Sequence, residues 1–225
     1  MVRLALGLLW AFASTAAWCQ LDKISNQDAG SGLRAALEKG TQAAVANLGK
    51  TDGFLGNNAV KIGLPDSLKR YEKMMRQFGM GKYSDELVTT MNRAAEAAVP
   101  EAKPLFVDAV KKMSVQDAKG ILTGGNTSAT DYFKRTMSEP LRAKFSPIVA
   151  ESTKKVKLAE TYNQYAGQAA KYGLVKGADA NLDSYVTQKT LDGLFYMVGE
   201  EEKKIRANPV AAGSDIIKKV FGALK

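Results

Sequence analysis

Signals that begin and end α-helices recur along most of this chain. Short polar residues that favour helix starts stand at Ser84, Ser114, Ser128, Ser146, Asp183 and Ser214. Ser114 and Ser128 have an aspartate three residues later, as in a capping box, and Ser146 precedes a proline. Helix-ending residues stand at Gly79, Gly124, Gly173 and Asn208. These signals predict a fold made mainly of helices.

The spacing of these signals predicts one all-α domain of eight or nine helices, over residues 20–225. The predicted helices span 28–48, 66–78, 84–99, 101–113, 115–123, 128–144, 147–172, 184–207 and 214–224. Residues 60–64, Val-Lys-Ile-Gly-Leu, instead alternate apolar and exposed types at a period of two. That pattern predicts a short extended strand or arm between the first two helices.

Residues 1–19 have the features of a secretory signal peptide. Arg3 gives a positive start, residues 4–18 are uncharged and mostly apolar, and a small-x-small pattern ends at Cys19. A membrane anchor is the alternative, but about 15 apolar residues are fewer than the roughly 20 that span a bilayer. Lipid attachment at Cys19 is a minor alternative, because Trp18 is larger than the residue such a site prefers. We therefore expect a periplasmic protein that begins near Gln20.

Removal of this leader limits the catalytic and metal-binding side chains that the mature protein would have. The chain has no histidine, and its only cysteine and both tryptophans lie within residues 1–19. Zinc sites of Cys and His, Ser-His-Asp and Cys-His catalysis, c-type haem attachment and disulfides are therefore excluded from the mature protein. We expect no cofactor and no metal site.

A polar pair lies within the helix predicted over 84–99. Asn92 and Glu96 are one turn apart, at the edge of an apolar face, where they are close enough to hydrogen-bond each other. Arg93 points away from this pair on the helical wheel. The pair has two interpretations: a helical corner whose polar groups satisfy nearby backbone, or part of a ligand site.

Glu201 interrupts an apolar stripe in the last long helix. It lies three residues after Val198 and four before Ile205. Its neighbours Glu200 and Glu202 each have a cation four residues later, which predicts ordinary solvent-exposed pairs.

Because an unpaired buried carboxylate is costly, we expect Glu201 to be partly or wholly buried and to contact a polar group of another helix. The candidate partners are Asn92, Arg93 and the preceding helix, predicted over 147–172, which is rich in tyrosine. The alternative is that Glu201 is solvated, because the helix has passed the core at this turn.

Two glycines inside the same helix indicate close packing. Gly193 and Gly199 each cost about 1 kcal/mol relative to alanine, so they are expected to admit another element or to relieve crowding around Phe195 and Tyr196. Tyr196 is a further candidate ligand contact. Three tyrosines of the preceding helix form either a rim of the core or a stacking platform: Tyr162, Tyr165 and Tyr172.

The chain is basic, and the charge is concentrated in places. Its net charge of +9 becomes +8 without the leader, which contains one arginine and no carboxylate. Lys69, Lys73 and Arg76 share one side of the helix predicted at 66–78. Candidate partners are lipid, lipopolysaccharide, cell-wall polymer or an acidic protein, whereas export and the lack of a binding motif argue against nucleic acid. The alternative is a solvated basic face.

Four blocks of sequence carry a family resemblance. They are Asp52-Gly-Phe-Leu-Gly, Ile62-Gly-Leu-Pro-Asp-Ser-Leu, the run from Met91 to Pro104, and Tyr185-Val-Thr-x-Lys-x-Leu-Asp-Gly-Leu-Phe. With these blocks the mature chain resembles the bacterial domain-of-unknown-function family numbered 4197. The resemblance implies a helical protein exported in Gram-negative bacteria and supplies no catalytic residues. Ile62-Gly-Leu-Pro departs from the Ile-Pro-Leu-Pro expected of the family.

Two hypotheses for function remain open from the sequence. The first is a binding or structural module of the cell envelope, peripherally associated, that holds an apolar or amphiphilic ligand between helices. The second is a hydrolase of envelope glycans that uses Glu201 and Glu96 as acid and base, which requires two carboxyl groups about 5 to 10 Å apart. The sequence leaves the oligomeric state open.

Overall fold

The computed structural model describes residues 25–171 and 180–223. Within these ranges the fold is all-α, as predicted, with no strand. The helices are α1 (Asn26–Leu48), α2 (Asp66–Gln77), α3 (Gly81–Ala98), α4 (Ala102–Lys112), α5 (Val115–Thr123), α6 (Ser128–Thr153), α7 (Lys157–Lys171), α8 (Leu182–Ala207) and α9 (Asp215–Gly222). A 3-10 turn, Val99–Glu101, joins α3 to α4. The leader, Tyr172 and Gly173 lie outside the described residues.

One hydrophobic core unites these helices into a single domain. The long helices α6 and α8 pack against each other, α3 packs on α6, α1 packs on α8, and α9 lies on α1. Large fully buried side chains come from helices and from the segment between α1 and α2, and include Phe54, Phe106, Phe133, Phe145, Leu33 and Leu182. Within the described ranges, no helix is both long and apolar enough to cross a membrane.

The predicted helix break at Ser146 is wrong. Helix α6 continues through Pro140 and Pro147 to Thr153. Each proline leaves the carbonyl four residues earlier without its helical donor, but both prolines and both of those residues are exposed, so water can bond to these carbonyls. Residues 133, 137, 141, 145 and 149, spaced by four, are all buried on the opposite face. This continuous apolar face holds the helix together across both prolines.

The predicted start of a helix at Ser84 is also wrong. Gly79 takes a left-handed backbone conformation (φ 73°) and ends α2, as predicted, and α3 then begins immediately at Gly81. Ser84 therefore lies within α3, three residues before Leu87, and is buried with it. Among the described residues its hydroxyl has no hydrogen-bond partner.

The segment that joins α1 to α2, residues 49–65, is called the arm here. Turns occupy its first part, and residues 61–65 form neither helix nor strand. The predicted alternation holds, because Val60, Ile62 and Leu64 are buried whereas Lys61 and Gly63 are exposed. The sequence therefore predicted the extended arm but not what it pairs with.

Candidate functional site

The arm is held by the side chain of Asn92, in place of a neighbouring strand. The Ile62 amide N donates to Asn92 Oδ1 at 2.9 Å, and Asn92 Nδ2 donates to the Ile62 carbonyl at 2.8 Å. Nδ2 also donates to the Val88 carbonyl in α3. Asn92 is fully buried. Its amide thus satisfies backbone groups that would otherwise be buried without partners.

Glu96, one turn further along α3, binds the first part of the arm. Its Oε1 accepts hydrogen bonds from the amides of Phe54 and Leu55 at 3.0 and 3.1 Å. Arg93 donates to Glu96 Oε2 at 2.6 Å and to Asp52 Oδ1 at 2.8 Å. These carboxylates raise the pKa of Arg93, Glu96 first and then Asp52.

The predicted orientation of Arg93 is wrong. Arg93 does not point away from the polar pair: it completes a group with Glu96 and Asp52. The helical wheel places the Cα atom of Arg93, but its long side chain reaches forward along the helix to Glu96, three residues later. Asn92 and Glu96, in turn, bond to the arm and have no described hydrogen bond to each other.

Helix α8 forms the other support of the arm. A Cβ built on Gly193 would lie 2.7 Å from Phe54 Cε1 and 3.2 Å from Val60 Cβ, so only glycine leaves room for the arm here. Tyr185 donates its hydroxyl to the Gly63 carbonyl at 3.0 Å. The predicted close approach at Gly193 is confirmed. At Gly199 the nearest neighbour, Thr130, is at an ordinary 3.5 Å.

The four blocks that carry the family resemblance therefore meet at the arm. Asp52 and Phe54 come from the first block, Ile62 from the second, Asn92 and Glu96 from the third, and Tyr185 and Gly193 from the fourth. The polar atoms of this group bind backbone amides and carbonyls of the arm. The helical-corner interpretation is correct in kind, but the backbone groups lie 30 to 42 residues away in sequence.

Glu201 is partly buried, as expected, but its partner among the described residues lies on its own helix. Its side chain is 15% exposed and accepts a hydrogen bond from Lys204 of α8 at 2.8 Å. The stem of Glu201 packs near Gly40 of α1. This close packing on a glycine lets the stem be covered while the carboxylate reaches the surface. Among the described residues Glu201 has no hydrogen bond or ion pair with Asn92, Arg93 or the tyrosine-rich helix, so the prediction is wrong for these residues.

The buried carboxylate of α8 is Glu202, which the sequence pattern assigned to a solvent-exposed pair. Its Oε1 accepts from the Ala129 amide at 3.0 Å, and its Oε2 accepts from the amide and hydroxyl of Thr130 at 2.9 and 2.8 Å. Arg206 completes the group with two bonds to Oε1. The two side chains are 7% and 11% exposed.

This ion pair joins the ends of two helices. Glu202 lies at the N-terminus of α6, where the helix dipole favours a negative charge. Arg206 donates to the carbonyl of Ile121 near the C-terminus of α5, at 2.8 Å, and its guanidinium lies 5.6 Å from the Phe221 ring centre in α9. The capping box predicted at Ser128 is therefore wrong: Ser128 is the first residue of α6, and Glu202 accepts hydrogen bonds from the next two amides of the helix. The capping box predicted at Ser114 is confirmed.

The predicted basic face of α2 is present but is partly neutralised. Lys69 pairs with Asp66 at 2.7 Å, which raises the pKa of Lys69. Arg76 pairs with Glu72 and with Asp85, whose pKa it lowers. Lys73 is exposed and forms no ion pair within the described part of the chain. These are surface pairs, which contribute little to stability.

The hairpin of α2 and α3 also exposes large apolar side chains. Phe78 is 71% exposed, Met74 49%, Tyr83 45% and Met80 43%. These four residues surround the turn at Gly79 and are called the hairpin tip here. Among the side chains that the structure describes, α2 contributes none that is buried, and Leu68 is only half-buried against the core. The sequence pattern did not predict this exposed apolar group, because helical spacing alone does not show which face of α2 is packed.

The candidate tyrosines lie in different environments. Tyr196 is 47% exposed on the outer side of α8. Tyr162 is buried, with its hydroxyl 3.1 Å from that of Ser67 in α2, as a tyrosine at the rim of the core would be. The side chain of Tyr165, like Tyr172, lies outside the described part.

An open pocket of about 370 Å³ lies where α6, α7 and α8 meet, lined by polar residues such as Thr153, Asn163 and Asp183. These side chains are bonded to one another: Thr153 donates to Asp183 Oδ1, and Asn163 lies 3.4 Å from Oδ2. The polar groups that line the pocket therefore pair with one another where the helices meet.

Together these features define a single-domain, all-α protein in which buried polar side chains of α3 bind a long connecting arm that also packs on α8. Residues 23–222 match the family described as "Protein of unknown function (DUF4197)", and the chain belongs to that family. Neither the curated proteins nor the solved structures include a significant match to the chain.

Proposed function

We propose that this protein is an exported, non-catalytic binding module of the cell envelope, and that the hairpin tip is its contact surface. The observation that carries the proposal is the cluster of Met74, Phe78, Met80 and Tyr83, each more than 40% exposed around one turn. Scattered single apolar residues are normal on a protein surface, whereas a group of large ones indicates an interaction site.

The position of α2 supports this proposal. Its main packing partner is α3, and it adds no described buried side chain to the core. A helix that contributes so little to the core is free to be specialised for contact with a partner. The signal peptide predicted over residues 1–19 would bring this surface to the periplasmic side of the envelope.

The hydrolase alternative has less support from the geometry. An acid and a base would have to reach a substrate, but both Glu96 oxygens are bonded within the protein, one by two arm amides and the other by Arg93. Glu201 bonds to Lys204 and has no described contact with Glu96. A ligand held between helices has less support as well, because Asn92, Arg93 and Glu96 are bonded to the arm, and Glu201 pairs with Lys204.

Cell fractionation tests the proposal. The exported protein is expressed in its own host with Phe78→Ser and Met74→Gln together, and the fraction that sediments with the envelope is compared with wild type. Val210→Ser is the matched control, because Val210 is 65% exposed in the turn between α8 and α9. We expect the tip variant to move to the soluble periplasmic fraction, and the control to remain with the envelope.

Equal sedimentation of wild type and tip variant would overturn the tip as the contact surface. Turnover of envelope glycans by the purified protein, lost in Glu96→Gln, would overturn the non-catalytic part of the proposal. Circular dichroism of each variant checks that the helical fold is intact.

A further inference from the structure

We infer that the hairpin tip binds the surface of an anionic phospholipid bilayer. This inference rests on the proposed function, which gives only a contact surface, and names the partner of that surface. It depends on three observations: the cations beside the tip, the small number of apolar side chains in it, and the kinds of side chain it contains.

One exposed lysine flanks the tip on each helix of the hairpin, and the nearby carboxylates of Glu72 and Asp85 are paired with Arg76. Lys73 precedes Met74 in α2, is exposed and is free of described ion pairs. Lys82 in α3 is exposed and lies with its Nζ 5.1 Å from the ring centre of Tyr83. Apolar side chains flanked by lysines are the pattern of helices that lie at an anionic membrane surface. The net charge of +8 that remains without the predicted leader adds a long-range attraction to anionic surfaces.

The size of the tip favours a bilayer over a protein partner. A stable protein interface uses about 20 to 30 residues on each side, whereas the tip offers four large apolar side chains around one turn. A bilayer needs no complementary shape, so a few inserted side chains and nearby cations suffice for reversible binding.

The side chains of the tip also suit a fluid partner. Two of the four are methionines, which are flexible and adapt to irregular surroundings. Phe78 is the most exposed of them and precedes the turn at Gly79, so it is the side chain placed to enter the acyl region first. Tyr83 has a polar end that suits the headgroup region.

A tryptophan at the tip reports insertion directly. Both natural tryptophans, Trp10 and Trp18, precede the predicted cleavage point. Phe78→Trp in the exported protein therefore places one fluorophore at the tip, once intact mass has confirmed the N-terminus. If the leader is retained, Trp10 and Trp18 are replaced by phenylalanine.

The probe is a vesicle of phosphatidylglycerol and phosphatidylcholine, with vesicles of phosphatidylcholine alone as the uncharged comparison. We expect the emission of the introduced tryptophan to shift to the blue, and to be quenched by brominated acyl chains, with the anionic vesicles only. Binding should weaken as salt rises to about 0.5 M, because added ions screen the cations.

Variants with matched controls separate the apolar and cationic contributions. Phe78→Ser should weaken binding at least tenfold, whereas Val210→Ser should leave it unchanged. Lys73→Gln with Lys82→Gln should weaken it by about fivefold for each cation. The same charge is removed in Lys134→Gln with Lys144→Gln, two exposed lysines of α6, which should have a smaller effect.

Three results would overturn the inference. One is the absence of vesicle binding while the tip variant still leaves the envelope fraction, which would show that the partner is not a phospholipid bilayer and leave the proposed function in place. Another is vesicle binding that Phe78→Ser does not change, which would move the lipid contact elsewhere. The third is equal binding to charged and uncharged vesicles, which would remove the role of anionic lipid.

Discussion

Thr130 and Glu202 join the start of α6 to the last turns of α8, because the amide and the hydroxyl of Thr130 both donate to Glu202 Oε2, at 2.9 and 2.8 Å. Arg206 neutralises the carboxylate from its other side. The pair thus replaces a local cap by a contact between residues 72 positions apart.

Glu202→Gln should destabilise the protein far more than Glu201→Gln. Breaking one partner of a buried ion pair costs about 3–5 kcal/mol, because the remaining charge is left buried and unpaired. Glu201 pairs with an exposed lysine, for which about 0–1 kcal/mol is expected. Urea unfolding of both variants measures the difference.

Arg206→Met is the companion variant, because it removes the cation and keeps much of the apolar stem. It should also destabilise, whereas the double change of Glu202 and Arg206 to Leu and Met should recover part of the loss. Equal, small losses for Glu202→Gln and Glu201→Gln would show that Glu202 is solvated.

Both glutamates fit the same helical stripe in the sequence. Val198, Glu202 and Ile205 have spacings of four and three, just as Val198, Glu201 and Ile205 have spacings of three and four. Because Arg206 lies four residues after Glu202, the two were predicted to form a solvent-exposed pair. Local spacing cannot show that another helix ends against the pair, so the choice between the two carboxylates needs the tertiary structure.

Asn92→Leu should lower stability by about 2–4 kcal/mol, because it leaves the buried amide and carbonyl of Ile62 without partners. Denaturant unfolding gives the loss, and hydrogen exchange at the Ile62 amide locates it. Asn58→Ala, at an exposed position of the same arm, is the control. An unchanged exchange rate at Ile62 in Asn92→Leu would contradict the pairing.

The sequence predicted the helices and the alternation of the arm more completely than the group that holds it. Helix caps and periodic apolar faces are local, so α1, α5 and α8 could be located within a few residues. The bonds of Asn92 and Glu96 join residues 30 to 42 positions apart. Only the path of the arm across α3 brings them together, and no local pattern encodes that path.

Gly193→Ala and Gly199→Ala should change stability in opposite directions. A methyl at Gly193 would lie 2.7 Å from Phe54, and such overpacking costs about 1–3 kcal/mol. At Gly199 the nearest atom is 3.5 Å away, so alanine should stabilise the helix by up to about 1 kcal/mol. Melting temperatures of the two variants compare them directly, and a stabilised Gly193→Ala would contradict the close packing of the arm.

Cleavage of the predicted leader should leave a mature protein that begins at Gln20 and is insensitive to reductant, because the only cysteine lies within residues 1–19. Intact mass of protein purified from its own host checks the cleavage. A mass that retains residues 1–19, or that carries a lipid on Cys19, would contradict it.

Hydrogen exchange of the purified protein, free and bound to vesicles made from the envelope of its host, shows which segment contacts the envelope. Exchange should slow only in peptides that cover residues 74–83. Exchange in the arm should be unchanged, because α3 and α8 already protect the arm in the free protein. Protection in the arm with none at the hairpin tip would show that the tip is not the contact surface.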